Sequence, residues 1–176
     1  MEFFKLFFKK FLRYILKPLS FLPAVCMMYI IFSFSAQTGS ESGSLSYQVS
    51  KILILAYNKL LFKGYDNATL NELILLIHPF VRKMAHVTEY FLLAASVSLP
   101  LYVYRLRGIA LTLIAGIFCI AFACLDEYHQ TLIVGRVGTI RDVYIDSIGI
   151  LTGILMVRLT GYIGRKTIFS FLSLDD

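Results

Sequence analysis

Apolar positions run in long unbroken blocks along this chain, and polar positions gather in short clusters at the ends of those blocks. Four blocks are long enough, or nearly so, to cross a hydrocarbon layer about 30 Å thick. They are Leu19 to Ala36, Val87 to Tyr104, Gly108 to Leu125 and Val143 to Thr160. Each falls a little short of the usual ~20 residues, so flanking side chains are expected to snorkel or the helices to run on into the interface. A β-barrel would need alternation over segments of roughly ten residues, and Ile109 to Leu125 does not alternate. Lipid offers no partner to an unpaired backbone group, so the blocks must be helical. The pattern predicts an all-α integral membrane protein with four transmembrane helices, built as a single domain over residues 1–176.

Two regions outside the spans show helical amphipathicity. Near the N-terminus Lys5, Lys9, Arg13 and Lys17 recur every fourth residue among Phe3, Phe4, Phe7, Phe8, Phe11 and Ile15, until Pro18 interrupts. A basic amphipathic helix facing anionic headgroups is expected there. Ser33-Phe34-Ser35 has the small-x-small form of a signal-peptide cleavage site, but the long charged preface points to a retained anchor. The first external loop, Gln37 to Phe80, opens on a polar, turn-like stretch. Leu45, Val49, Ile52, Leu53, Ala56, Tyr57, Leu60 and Leu61 then repeat at helical spacing, with Ser46, Ser50, Lys51, Asn58 and Lys59 mainly opposite. An interfacial helix on the outer leaflet is predicted. Leu70 to Ile77 is apolar on all sides yet too short to span, so it reads as a buried piece or a re-entrant segment. The loop is expected either to roof the polar clusters or to pack as protein core.

Composition agrees: the chain is 58% hydrophobic and 16% charged, with mean hydropathy +0.74, outside the range of a soluble domain. No nucleic-acid partner is expected. Cys26, Cys119 and Cys124 all fall within spans without metal-ligand spacing and read as buried, inert thiols. Charge sets the orientation. Lys5 to Lys17, then Arg105 and Arg107, then Arg158, Arg165 and Lys166 share one side when four spans are threaded. That side is expected to be the cytoplasm of a bacterial cell, with both termini in it.

Threading has a consequence for chemistry. The second span starts, the third ends and the fourth starts on the opposite, extracytoplasmic face. Three polar clusters thereby share one layer: Arg82, Lys83, His86 and Glu89; Asp126, Glu127, His129 and Gln130; Arg136, Arg141, Asp142 and Asp146. Arg82, His86 and Tyr90 lie four apart, and Asp126 stands three before His129 and four before Gln130, so each set can share a helix face. Asp142, Asp146, Gly149 and Gly153 form another face, whose glycines admit a close helix neighbour. Isolated Lys and Arg at helix ends often do no more than snorkel. The short side chains of Glu89, Asp142 and Asp146 cannot, which leaves structural ion pairing with Arg82, Arg136 or Arg141, or a functional site. For a divalent metal the available set is His86, Glu89, Asp126 and His129, but neither HExxH nor CxxC is present, and no cofactor is predicted. No Gly-x-Ser-x-Gly elbow marks a nucleophile.

Phe32-Ser33-Phe34-Ser35-Ala36-Gln37-Thr38-Gly39, Val81-Arg82-Lys83-Met84-Ala85-His86-Val87-Thr88-Glu89-Tyr90, and Asp126-Glu127-Tyr128-His129-Gln130 with Gly135-Arg136 and Ile140-Arg141-Asp142-Val143 resemble the ordered signatures of the VanZ-like membrane family. The resemblance runs from about Phe32 to Gly153. Val134 stands where the family favours Pro, and Val137 where a small polar residue is common. Carried over by position, the motif residues are Gln37, Arg82, Lys83, His86, Glu89, Asp126, Glu127, Gln130, Arg136, Asp142 and Asp146. The resemblance implies reduced susceptibility to teicoplanin and related lipoglycopeptides.

Three functions are open at this point. One is an envelope enzyme on a lipid-linked or glycan substrate, with Arg82, Arg136 and Arg141 holding phosphate and His86, Glu89 or Asp126 moving a proton. Another is a non-catalytic binder of a headgroup, an antibiotic or a partner protein, in which the same arginines serve and the carboxylates merely position them; in either case Gln37, Arg82, Lys83, Glu127, His129, Gln130, Arg136, Arg141, Asp142 and Asp146 are the ligand-binding candidates. A transporter or flippase fits less well, since four spans without an internal repeat would need an oligomer. The oligomeric state is left open.

Overall fold

The computed structural model describes residues 17–166, and among these every regular element is helical. The helices are α1 (Leu22–Ser35), α2 (Gly39–Leu60), α3 (Asn67–Val103), α4 (Gly108–Gln130) and α5 (Ile140–Lys166). The basic helix expected over Lys5 to Ile15 lies outside the described residues. Four stretches are long and apolar enough to cross a membrane: Lys17–Ser35, Asn67–Val103, Gly108–Thr131 and Ile140–Ile163. They contain the predicted spans but for Ala36 and Tyr104 at their edges, and each runs beyond its predicted span at one end or both. The extra residues include Arg82, Lys83 and His86 and the Asp126 to Gln130 cluster, which hydropathy excludes from a span although they are wound into the same helices; the rest of the added length is mainly Asn67 to Val81.

The largest correction concerns the second span. Its helix begins at Asn67 rather than Val87, so Leu70 to Ile77 is part of this helix and not re-entrant, and of the two readings the buried one describes Leu70 and Ile74. At 1.5 Å per residue the helix is about 55 Å long, well beyond the hydrocarbon thickness. Asp66 caps its start, accepting from the Thr69 amide at 3.2 Å. Pro79 lies inside it, where a missing N–H and a ring clash ordinarily cost ~3 kcal/mol. Packing against α2 on the far side of Pro79 offsets that cost.

That packing turns the predicted amphipathic helix partly inside out. Leu45, Val49, Ile52, Leu53, Tyr57, Leu60 and Leu61 face outward as the periodicity requires. Ser46 and Ser50, assigned to the polar side, are buried, and α2 pairs with the first half of α3 as a hairpin. Ile54, Leu70 and Ile74 form the seam. Serine suits this seam because it is small and its hydroxyl is satisfied by its own helix: Ser46 Oγ donates to the Ser42 carbonyl at 3.0 Å and Ser50 Oγ to the Ser46 carbonyl at 2.8 Å. His78 Nε2 lies 3.1 Å from the Gly43 carbonyl and 2.8 Å from Ser46 Oγ. A carbonyl only accepts, so Nε2 carries the proton.

The outer faces of the hairpin expose Leu53, Tyr57, Leu60, Leu75, Leu76 and Phe80 alongside Lys51, Lys59 and Glu72, and its tip presents Phe62 at 93% exposure. Such a surface needs a non-aqueous cover. The chain contains no tryptophan, so Phe62→Trp supplies a background-free probe. In bilayers with bromine-labelled acyl chains its fluorescence is expected to be quenched and blue-shifted. Unquenched, water-like emission would place the tip outside lipid.

The bundle core is drawn from all four spans: Ala24 and Ile31, Tyr90 to Val97, Ala115, Cys119 and Ala123, and Val143, Ile150 and Ile154. The most extensive pairing is α3 with α5. A Cβ on Gly149 would collide with the Val87 carbonyl, and one on Gly153 with that of Phe91, so the glycine face predicted on α5 meets the backbone of α3. Cys26 and Cys124 are exposed and only Cys119 is buried. This corrects the expectation of three buried thiols, because an apolar span does not reveal which of its sides faces lipid.

Candidate functional site

The site is assembled where α1 and α4 end, α5 begins and α3 continues. Asp126, Glu127 and Gln130 share a face because α4 persists to Gln130, and all three are buried. The Gln130 Nε2 amide donates toward Asp126 Oδ2 at 3.0 Å, Glu127 Oε1 at 3.2 Å and Ser35 Oγ of α1 at 3.2 Å. One neutral side chain thus holds two carboxylates and ties α4 to α1. The second Glu127 oxygen, Oε2, accepts from the Thr139 amide at 2.8 Å, which locks the turn before α5 onto α4.

Thr139 also begins α5. Its Oγ1 accepts from the Asp142 amide at 3.2 Å and donates to Asp142 Oδ2 at 3.0 Å. The other Asp142 oxygen, Oδ1, is paired with Lys83 Nζ of α3. Helices α3 and α5 are therefore joined in the layer by an ion pair, and deeper by the glycine face. Arg141, one residue earlier, points outward and is exposed.

Arg136 enters from the turn between α4 and α5. Gly135 precedes it at φ +76°, a left-handed backbone that costs glycine little. The Gly135 backbone abuts Gly39 so closely that a Cβ on Gly39 would collide with the Gly135 carbonyl, and the Gly39 amide donates to the Val134 carbonyl at 3.1 Å. The start of the long external loop is thereby clamped to the arginine turn, while the body of α2 leans on α3. Arg136 itself is buried, and its Nη2 donates to the Phe34 carbonyl at 2.7 Å. Nε and Nη1 are buried with no acceptor among the described residues. Burial pulls this guanidinium below its ordinary value, Arg82 pulls the same way, and Asp126, Glu89 and Glu127 oppose both. It nevertheless stays charged, as arginine does throughout the physiological range.

His86 and Glu89 lie beside this group on α3, His86 Nδ1 standing 3.7 Å from Glu89 Oε2. That is too long for a hydrogen bond but close enough for charges to interact. Both side chains keep 19% exposure, and Arg82 next to them is half-buried. Deeper in the bundle, Asp146 is 1% exposed and the Tyr90 ring is fully buried. Among the described residues, both Asp146 oxygens, Asp126 Oδ1 and the Tyr90 hydroxyl have no hydrogen-bond partner. A recess of about 200 Å³ between α4 and α5 reaches Glu127 and Thr139.

Two predicted residues sit apart from these contacts. His129 stacks on Phe32 of α1, ring centroids 4.3 Å apart, which draws it away from the set considered for a metal. Among the described residues no three His, Cys, Asp or Glu side chains converge as metal ligands. Gln37 is half-buried just past α1, and no side-chain contact assigns it a role. Ser35, Tyr90 and Thr139 were not singled out as site residues by sequence. Thr139 had a readable signal, since Thr139-Ile140-Arg141-Asp142 has the form of a helix-start box before an apolar run. Ser35 and Tyr90 fall inside the quoted signatures, but nothing there sets them apart from their neighbours.

No curated protein and no solved structure matches the chain. A family model, described as VanZ/LLP1, matches residues 20–161. Those residues include all four spans almost entirely, the arginine turn and every side chain of the polar layer, and so the chain belongs to the VanZ/LLP1 family.

Proposed function

We propose that the polar layer lies on the extracytoplasmic side of the bacterial cytoplasmic membrane and receives the anionic headgroup of a lipid-linked or glycan envelope component. Family membership links the chain in general to teicoplanin resistance, and an envelope ligand is in keeping with that link. The observation that carries the proposal is Arg136: a buried, charged side chain, anchored through Nη2 to Phe34, with two nitrogens lacking an acceptor among the described residues. A phosphate or carboxylate oxygen would satisfy them with charge-assisted bonds. Arg82 reinforces the positive potential, and the partly exposed His86 and Glu89 flank the approach. In the catalytic form of the proposal, Glu89, His86 or Asp126 transfers the proton.

A second reading, binding without catalysis, is favoured by the Gln130 contacts. Asp126 and Glu127 each have one oxygen already tied to its amide, as positioning groups would. The isosteric changes Glu89→Gln and Asp126→Asn separate the two: they should abolish turnover of an envelope lipid while leaving its binding near wild type. If both variants retain full activity in cells, proton transfer by these groups is excluded.

The binding step is tested by native mass spectrometry of protein released from bilayers containing anionic lipid. Arg136→Gln is expected to reduce retained lipid at least ~10-fold, from the loss of one charge-assisted contact of about 1.5–3 kcal/mol. Arg136→Lys should restore part of it. Retention unchanged in Arg136→Gln, with the variant folded by melting temperature, would refute the proposal.

A further inference from the structure

We infer that the membrane face opposite the polar layer carries a second site, a corner between α3, α4 and α5 where Arg107 and Arg158 take the phosphate of an anionic bilayer lipid. The corner is remote from Arg136. Helix α3 runs away from the polar layer to Val103, α4 starts back from Gly108, and α5 reaches the same end after leaving the layer.

A closed circuit of contacts joins the two arginines. The Arg107 guanidinium lies over the Tyr102 ring, 5.4 Å from its centroid. The Tyr102 hydroxyl donates to the Gly161 carbonyl at 3.0 Å, and the ring sits so close that a Cβ on Gly161 would collide with it. Gly161 follows Arg158 on α5 by about one helical turn. Arg158 Nη1 donates to Thr112 Oγ1 of α4 at 3.0 Å. That hydroxyl donates to the Gly108 carbonyl at 3.2 Å, and Gly108 is the residue after Arg107. By either route, about one turn of helix and the contacts at its ends separate Arg107 from Arg158.

Nothing acidic balances this corner among the described residues. The chain has no Asp or Glu from Tyr90 to Leu125, from Ser147 to Lys166 or from Lys17 to Ser40. Both ion pairs of the described residues lie in the polar layer. Arg158 is half-buried within a span, where a charge without a counterion is costly, and the Thr112 hydroxyl that it meets is neutral. Arg107 rests on a ring, a contact that leaves the N–H edge of a guanidinium to donate. The first turn of α4 has neither a capping side chain nor an acidic residue, so the positive end of its dipole adds to the field. Two guanidinium groups in such proximity suit a phosphodiester, whose oxygens accept charge-assisted bonds. The occupant is a lipid because the surroundings are apolar and turned outward: Val103, Ile109, Leu159 and Ile163 are exposed, a surface for acyl chains to cover.

The test places a tryptophan at the corner. Ile109→Trp changes an exposed position in the first turn of α4 and supplies the chain's only tryptophan. Full-length protein is studied in bilayers mixing phosphatidylglycerol and phosphatidylcholine of identical length, with bromine on the acyl chains of one lipid at a time. Quenching then gives the relative affinity of the two lipids at this position. Phosphatidylglycerol is expected to be favoured about tenfold. Arg107→Gln and Arg158→Gln, added singly, should each reduce that preference to about twofold or less, and Arg158→Lys should keep part of it. Lys17→Gln removes a charge of the same membrane face, one that lies over Tyr104 at 5.3 Å and outside the circuit; it should leave the preference unchanged. Arg136→Gln, on the opposite face, should do the same. Equal quenching by the two lipids with both arginines present overturns the inference, and that comparison needs no charge variant. Full preference in folded Arg107→Gln and Arg158→Gln also overturns it. An equal fall in Lys17→Gln and Arg107→Gln overturns the site, since surface charge in general would then account for the preference. The outcome at Arg136→Gln in native mass spectrometry decides the anionic-headgroup reading separately, so either can fail while the other stands.

Discussion

Gly149→Val is expected to lower the melting temperature on the order of 10 °C and to dismantle the polar layer with the fold. The new Cβ would occupy the space of the Val87 carbonyl and press on the Phe91 amide nitrogen, both parts of the α3 backbone. Backbone cannot rotate aside as a side chain does, so α3 and α5 must separate. Overpacking of this kind costs roughly 3 kcal/mol, and a chain of this size loses about 2–4 °C per kcal/mol. Separation would also pull Lys83 from Asp142, which couple the same two helices. Thr152→Val, an isosteric change at an exposed position of the same helix, is the control and should melt close to wild type. Equal melting of the two variants in detergent would show that the glycine face is not a packing requirement.

Gln130→Leu is expected to cost about 3–5 kcal/mol, because it removes the amide donor from two buried carboxylates at once. Hydrogen bonds to charged groups are worth about 1.5–3 kcal/mol each, and neither Asp126 nor Glu127 has solvent to fall back on. Gln130→Glu should be worse than leucine, since it sets a third carboxylate beside the other two. Ser35→Ala, which deletes only the neutral partner of the same amide, should cost ~1 kcal/mol. The ordering Ser35→Ala, Gln130→Leu, Gln130→Glu, measured by thermal or denaturant unfolding in one detergent, is the check. A leucine variant as stable as wild type would mean that the carboxylates do not depend on Gln130.

Much of the architecture follows from the chain alone. Long apolar blocks in a chain that must satisfy its own backbone leave helices as the only solution, so four membrane-crossing helices could be placed before any coordinates. The glycine face of α5 was legible as well, since Gly149 and Gly153 one turn apart announce a close neighbour. Hydropathy could not locate the start of α3. It counts Arg82, Lys83, His86 and Glu89 as the end of a span, yet those residues are turned into protein and the helix continues through them. Pro79 stands inside that helix, where its local cost is met by contact with α2.

The three polar clusters were readable as residues near one membrane face, and helical spacing showed which of them could align. Their partners were not readable. Gln130 reaches Ser35 across 95 residues of sequence and Arg136 reaches the Phe34 carbonyl across 102, and no local pattern encodes a backbone carbonyl as an acceptor. The seam of the α2–α3 hairpin was equally hidden, because Ser46 and Ser50 have the composition of a wet face and the environment of a dry one. Periodicity by itself determined that these segments are helices and which of their faces are apolar. Only the tertiary structure decided which face meets protein: in a membrane both lipid and core are apolar, so the choice falls to close packing and to hydrogen bonds between distant parts of the chain.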